Sequence, residues 1–172
     1  ERGVVEGSDK SHRFIIDPID GTMNFMHAVP VFAITVALER KNEIVAGVTY
    51  NPISDEMFTA EKGSGAFMNN RRLRVAARRE LHEELVAYEI PNRGSKDLPL
   101  SRAEIGVLQG RVNGIRGMGS VALGLGYLAA GRVDALVCRN SQSWDIADGV
   151  LRVREAGRFT ADCDSEANPL ET

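Results

Sequence analysis

The sequence predicts an α/β (α+β) fold of layered sheets and helices in two lobes, and three observations carry that prediction. Short β-branched and aromatic runs fill the first part of the chain, separated by polar or Gly/Asn turns. From Gly119 onward, apolar helix, strand and helix alternate. No internal repeat or low-complexity tract interrupts either part. The expected division is an N-terminal sheet lobe over 1–110 and a C-terminal α/β lobe over 111–172.

Taken in order, Phe14, Ile15 and Ile16 form a β-branched run that places Asp17 at a strand end. VFAITVAL (31–38) and EIVAGVTY (43–50) read as strands across the polar turn ERKN. EMFTAEKG, GAFMNN and RLRVAA continue as short strands, giving an antiparallel sheet of about four or five strands, and LVAYEI (85–90) reads as another. PLSRAEIGVLQG (99–110) reads as a helix with Ser101 as its cap and Glu104 three residues on. GSVALGLGYLAAG is apolar nearly all round, as a buried helix would be, with Gly131 closing it. VDALVC (133–138) is a strand. The last helix, 145–157, puts Ile146, Ala147, Val150 and Val153 on one side and stops at Gly157. Asp148 reads as exposed there, and Tyr127 in the preceding helix as core.

Composition narrows the function classes. With 172 residues, 43% of them hydrophobic and 26% charged, the chain is an ordinary globular protein with room for a real core. A net charge of -3 argues against a general nucleic-acid or membrane binder. No apolar run approaches the ~18 residues of a spanning helix, and the start carries no signal peptide. Cys138 and Cys163 form no CxxC, and His12, His27 and His82 lack ligand spacing, so a reduced, cytoplasmic protein is expected. The basic run 71–79 reads either as an anion patch or, since Glu80, Glu83 and Glu84 follow it, as a solvated face with local pairing, and the second is the expected reading. The chain opens at Glu1 without Met and stops at SEANPLET, so a fragment is expected.

The stretch DPIDGTMNF (17–25) concentrates the chemistry. Mg²⁺ takes hard oxygen ligands, usually a few carboxylates with water and substrate phosphate. Asp17 and Asp20 offer two carboxylates within one turn, Pro18 stiffens it, and the Ile19 carbonyl lies between them as a third hard oxygen. Gly21 permits close approach of a ligand, its N–H and that of Thr22 face an anion, and the Thr22 hydroxyl can orient a water. Asp, Pro and Gly are also favoured turn residues, so DPIDG alone reads equally as a turn. A second element, WDIADG (144–149), places Asp145 at a helix start, where capping is the ordinary role, and Trp144 as a packing anchor.

Together and in this order the two elements resemble the signatures of the inositol monophosphatase family, D-P-[IL]-D-G-T-x-N-[FY] and W-D-x-A-x-G. GVTYNPISDEMFTAEKGSGAFMNNRRLRV, GSVALGLGYLAAGRVDA and REAG extend the resemblance over nearly the whole chain. It implies the layered α-β-α-β-α sandwich of the sugar phosphatase type, truncated at both ends. It further implies Mg²⁺-dependent hydrolysis of a small phosphate monoester by a metal-activated water, most directly inositol 1-phosphate to inositol and phosphate. The implied metal ligands are Asp17, the Ile19 carbonyl, Asp20 and Asp145, for two or three Mg²⁺ per site, with Mn²⁺ as an alternative and inhibition by Li⁺. Gly21 and Thr22 would hold phosphate, Thr22 and Asp20 would serve catalysis, and Gly119, Ser120 and Asp145 would meet the substrate. A homodimer is implied as well.

Relatives that hydrolyse histidinol phosphate, 3′-phosphoadenosine 5′-phosphate or fructose 1,6-bisphosphate keep other substrates open. So do non-catalytic members of the fold that act as binding partners. The family carries a Glu-Glu pair upstream of the first signature, its first member a metal ligand and water activator. Glu1 is a candidate for either member, catalytic acid and metal ligand included; ERGVVEG fits the second better. Cys138 stands where many members place a Glu that contacts a substrate hydroxyl, and Met23 replaces a frequent Thr.

Overall fold

The computed structural model describes residues 11–139 and 143–160, the side chains of 143–145 excepted. Six strands form one antiparallel sheet in sequence order: β1 (His12–Asp20), β2 (Ala33–Arg40), β3 (Glu43–Asn51), β4 (Glu56–Glu61), β5 (Gly65–Met68) and β6 (Arg71–Arg72). The strand before the first signature therefore joins the sheet as its edge, making it larger than the four or five strands expected. The RLRVAA segment contributes only its first residue, Arg72, to β6, and 73–79 leave the ladder.

Alternation gives this sheet two unlike faces. Ala33, Thr35, Ala37, Thr49, Phe58 and Ala60 are buried on one. Phe14, Ile16, Ile34 and Met57 stand exposed on the other. Two helices cover the buried face: α3 (Val121–Ala129) and α4 (Ser143–Glu155). Two other helices, α1 (Thr22–Met26) and α2 (Leu98–Gln109), lie outside that core.

A second sheet is parallel, with β7 (Leu85–Glu89) between β8 (Gly114–Arg116) and β9 (Ala135–Cys138). It joins elements on both sides of residue 110, with β7 before it and β8 and β9 after it. Local pattern shows that LVAYEI is a strand; which strands flank it depends on distant pairing.

Two helix ends differ from expectation. Helix α2 starts at Leu98, so Ser101 is a buried interior residue rather than the cap. Glu104 instead forms an ion pair with Arg139 and accepts the Tyr88 hydroxyl. Helix α3 ends as read, with Ala130 as its cap and Gly131 following at φ 69°. That left-handed position suits glycine, and a Cβ there would come 2.9 Å from the Ala76 nitrogen.

Asp148 is buried, against the expectation of exposure: it and Arg152 are each 1% exposed, one turn apart on α4. Asp148 accepts a 2.5 Å hydrogen bond from the Thr49 hydroxyl and lies 3.2 Å from an Arg152 guanidinium nitrogen. The opening for it is Gly47, where a Cβ would fall 2.4 Å from the Asp148 Cβ. Burial pushes the Asp148 carboxyl up and the Arg152 guanidinium down, each partly opposed by the other. Ile146, Ala147, Val150 and Val153 are all buried as expected, so α4 is enclosed on more sides than one. The basic run does not pair with Glu80, Glu83 or Glu84: Arg78 instead binds Asp134 at 2.7 Å. Tyr127 is partly buried, packed against the core.

Candidate functional site

The DPID segment forms a bulge within β1. Asp17 pairs with Thr35 and Asp20 with Ala33, so three steps on β1 match two on β2. Asp17 thus does not end the strand, as the β-branched run suggested; the strand runs on to Asp20. A bulge on an edge strand also accommodates Pro18, which brings no N–H to the ladder. Within it, Asp17 Oδ1 accepts the Ile19 N–H at 3.0 Å, and the Thr22 hydroxyl donates to the Ile19 carbonyl at 3.0 Å. Asp17, Ile19 and Thr22 therefore share one short hydrogen-bonded loop.

Gly21 turns the chain from β1 into α1 at φ 89°. A Cβ there would sit 3.0 Å from the Val31 carbonyl oxygen, 3.1 Å from the Gly119 carbonyl oxygen and 3.2 Å from the Ser120 Cβ. Both the left-handed backbone and the crowding require glycine. The crowding also shows that the DGT turn lies directly against Gly119 and Ser120, nearly a hundred positions later.

Asp20, 7% exposed, makes the main bond across that junction. Its Oδ2 accepts the Ser120 hydroxyl and, at 3.0 Å, the Ala122 N–H. Ser120 caps α3 by accepting the Leu123 N–H at 3.3 Å. The carboxylate and the serine together satisfy the first turn of α3, where negative charge is favoured.

Two residues that sequence reasoning missed hold the same junction. The Asn24 amide donates to the Val31 carbonyl at 2.7 Å and the Met118 carbonyl at 2.8 Å, stapling α1 to the loop before α3. Glu89, at the carboxyl end of central strand β7, accepts the Met118 N–H at 3.1 Å and the Gly119 N–H at 2.9 Å. Burial raises its carboxyl above the usual range, and those two N–H groups partly oppose the rise. A charged residue closing an apolar parallel strand was the available signal, since sites in such sheets gather at the strands' carboxyl ends.

Of the residues read as functional, the structure brings Asp17, Ile19, Asp20, Gly21, Thr22, Gly119 and Ser120 together. Trp144 and Asp145 fall in the first turn of α4, and their side chains lie outside the described residues, as do Glu1 and Cys163. Cys138 pairs with Glu89 across β7 and β9, at the edge of the same region. His27 is exposed just after α1. Two carboxylates and a carbonyl on one bulge are hard donors of the kind Mg²⁺ takes, and the donor chemistry fits that ion. Among the described residues, no three His, Cys, Asp or Glu side chains cluster as a metal site. Any further acidic ligand would come from the residues outside that set.

The chain is similar to known proteins in sequence and in fold. "Inositol-1-monophosphatase" of Mesorhizobium japonicum is 48% identical over 171 residues, which is 99% of this chain and 64% of that protein. "Nus factor SuhB" of Haemophilus influenzae is 41% identical over 165 residues, 96% of this chain and 62% of that protein. The crystal structure of the extragenic suppressor protein suhB from Bartonella henselae superposes with a TM-score of 0.85 at 52% identity, covering 88% of this chain and 59% of that one. The chain thus spans less than two thirds of the length of these relatives. Residues 1–171 match the inositol monophosphatase family throughout, and the chain belongs to that family.

Proposed function

We propose that this chain carries the site of a Mg²⁺-dependent phosphate monoesterase whose first substrate is inositol 1-phosphate. One observation carries the reading: the β1 bulge sets Asp17, the Ile19 carbonyl and Asp20 beside the Gly21–Thr22 turn, and Gly119 and Ser120 close against it. Asp17, Ile19 and Asp20 would hold the cation, with Asp145 and Glu1 as further candidates. Mg²⁺ bound there supplies Lewis-acid polarisation of the phosphoryl group and acidifies water.

The residues of the chain do the positioning. The Gly21 turn, lacking a Cβ, lets Gly119 and Ser120 close directly against the DGT loop. Thr22 keeps its hydroxyl within the loop, a hydrogen bond away from the Ile19 oxygen. Ser120 and the Ala122 N–H fix the rotamer of Asp20, so its carboxylate is oriented before any ligand arrives. Glu89 and Asn24 hold the Met118–Gly119 segment against the turn.

The test is phosphate release from inositol 1-phosphate, histidinol phosphate, 3′-phosphoadenosine 5′-phosphate and fructose 1,6-bisphosphate across a Mg²⁺ titration. Asp20→Asn is expected to weaken Mg²⁺ dependence and turnover together, and Thr22→Ala mainly to lower kcat. Silence on all four substrates from a natively folded chain, and again from a longer chain that carries the upstream acidic pair, would refute the enzymatic reading. It would favour the second one, a binding role of the fold, to which the relatives named "Nus factor SuhB" lend support.

A further inference from the structure

The first sheet has a second polar feature at its other edge. Strands β5 and β6 and the segment after α3 surround an open pocket of about 330 Å³, lined by Arg71, Arg72, Arg74 and Arg132 around Met68 and Leu73. Among the described residues, no carboxylate lines it. Two of the arginines are held in place. Arg132 forms a two-point ion pair with Glu56 and lies 4.9 Å from the centre of the Tyr127 ring. Arg72 lies 6.0 Å from the centre of the Phe67 ring, and a Cβ at Gly65 would come 2.9 Å from its guanidinium. Arg71, Arg72 and Arg74 form no ion pair among the described residues.

Three arginines without an ion pair among the described residues thus line one concavity in a chain whose net charge is -3. Gathering like charges around a hollow costs free energy unless a counter-charge enters it. The volume is at the lower end of small-ligand pockets. Guanidinium forks match phosphate oxygens two at a time, and the small apolar floor offers little to an aromatic or aliphatic body. A single phosphate would leave positive charge unmatched; a chain of two or three phosphates would not.

We propose that this pocket binds a compact oligophosphate, as the free anion or as the phosphate tail of a larger molecule. It is distinct from the candidate catalytic site. Strands β1 and β6 are opposite edges of a six-stranded sheet, separated by five strand spacings of about 4.8 Å, or about 24 Å.

Isothermal titration calorimetry of the intact chain with sodium tripolyphosphate, in EDTA and at low salt, tests the proposal. The expected result is one saturable site per chain, at least tenfold tighter than for orthophosphate and weakening as salt rises. Arg71→Ala/Arg74→Ala removes two exposed charges and is expected to weaken binding tenfold or more with an unchanged circular dichroism spectrum. Arg74→Glu is expected to do the same by charge reversal, and Asp17→Asn to leave binding as it was. A nucleoside triphosphate binding with the same affinity identifies the phosphate tail as sufficient. Absence of saturable heat, binding that survives both arginine variants, or binding lost in Asp17→Asn would overturn the proposal.

Discussion

The buried pair on α4 can be taken apart one charge at a time. In Asp148→Ala, Arg152 keeps its place over Phe58, 5.5 Å from the ring centre, with none of its three guanidinium nitrogens hydrogen-bonded among the described residues. Its one close carboxylate is then gone, and stranding a fully buried charge in this way costs about 3–5 kcal/mol. Arg152→Leu strands the carboxylate instead, with the Thr49 hydroxyl as its remaining side-chain donor. That cost is similar at neutral pH and falls in acid.

The sign follows from burial. The folded Asp148 carboxyl is raised above its unfolded value, so its stabilising contribution is complete below the unfolded pKa and is lost as pH rises through the folded one. The double variant Asp148→Ala/Arg152→Leu strands neither charge. It gains back the desolvation of two ions and loses the Thr49 hydrogen bond, whose orphaned hydroxyl costs about 1–3 kcal/mol. The balance is near zero, so the two single effects should fail to add by about 5 kcal/mol or more. Urea denaturation of the four proteins at pH 7, followed by circular dichroism and repeated at pH 5, measures this. Additive single variants, or an Arg152→Leu protein no more stable at pH 5 relative to the parent than at pH 7, would refute the reasoning.

Two further outcomes concern the site. Ser120→Ala removes the α3 cap and a hydroxyl donor to Asp20, so thermal or urea unfolding should show a loss of about 2 kcal/mol, and half-saturating Mg²⁺ in the phosphate assay should rise. Glu89→Gln keeps the size of the side chain and loses its charge, leaving an amide NH₂ facing one backbone N–H. The kcat for phosphate release should fall with little change in KM, and any acid-side inflection set by Glu89 should vanish from the pH profile; an unchanged profile would count against its positioning role.

How much of this could be read from the sequence depended on how local the cause was. Asp17, Asp20, Gly21 and Thr22 were legible because their roles arise within a few bonds of one another. Their setting was less so. The bulge replaced the expected turn because Asp20 pairs with Ala33, and no local pattern announces a pairing with β2 that resumes beyond a proline. Asp148 was read as exposed because it is charged and interrupts an apolar stripe. It is buried because Gly47, a hundred residues earlier, leaves a hollow opposite it and Thr49 supplies a donor. Glu89 carried one local signal, a charge at the end of an apolar strand, but its partners are backbone N–H groups about thirty residues on, and no local pattern points to them.

Asp20 carries an implication for how the two layers communicate. One of its oxygens belongs to the helix that opens the far side of the junction, while the residue itself ends the bulge. A cation that draws on this carboxylate competes with, or is aided by, the same N–H and hydroxyl that set the start of α3. Binding at the bulge and docking of α3 are therefore thermodynamically linked, and the linkage runs equally in both directions. Whatever factor cation binding applies to the docking of α3, docking applies the same factor to cation binding, so the seam between the layers works as a balance whose pivot is a single side chain.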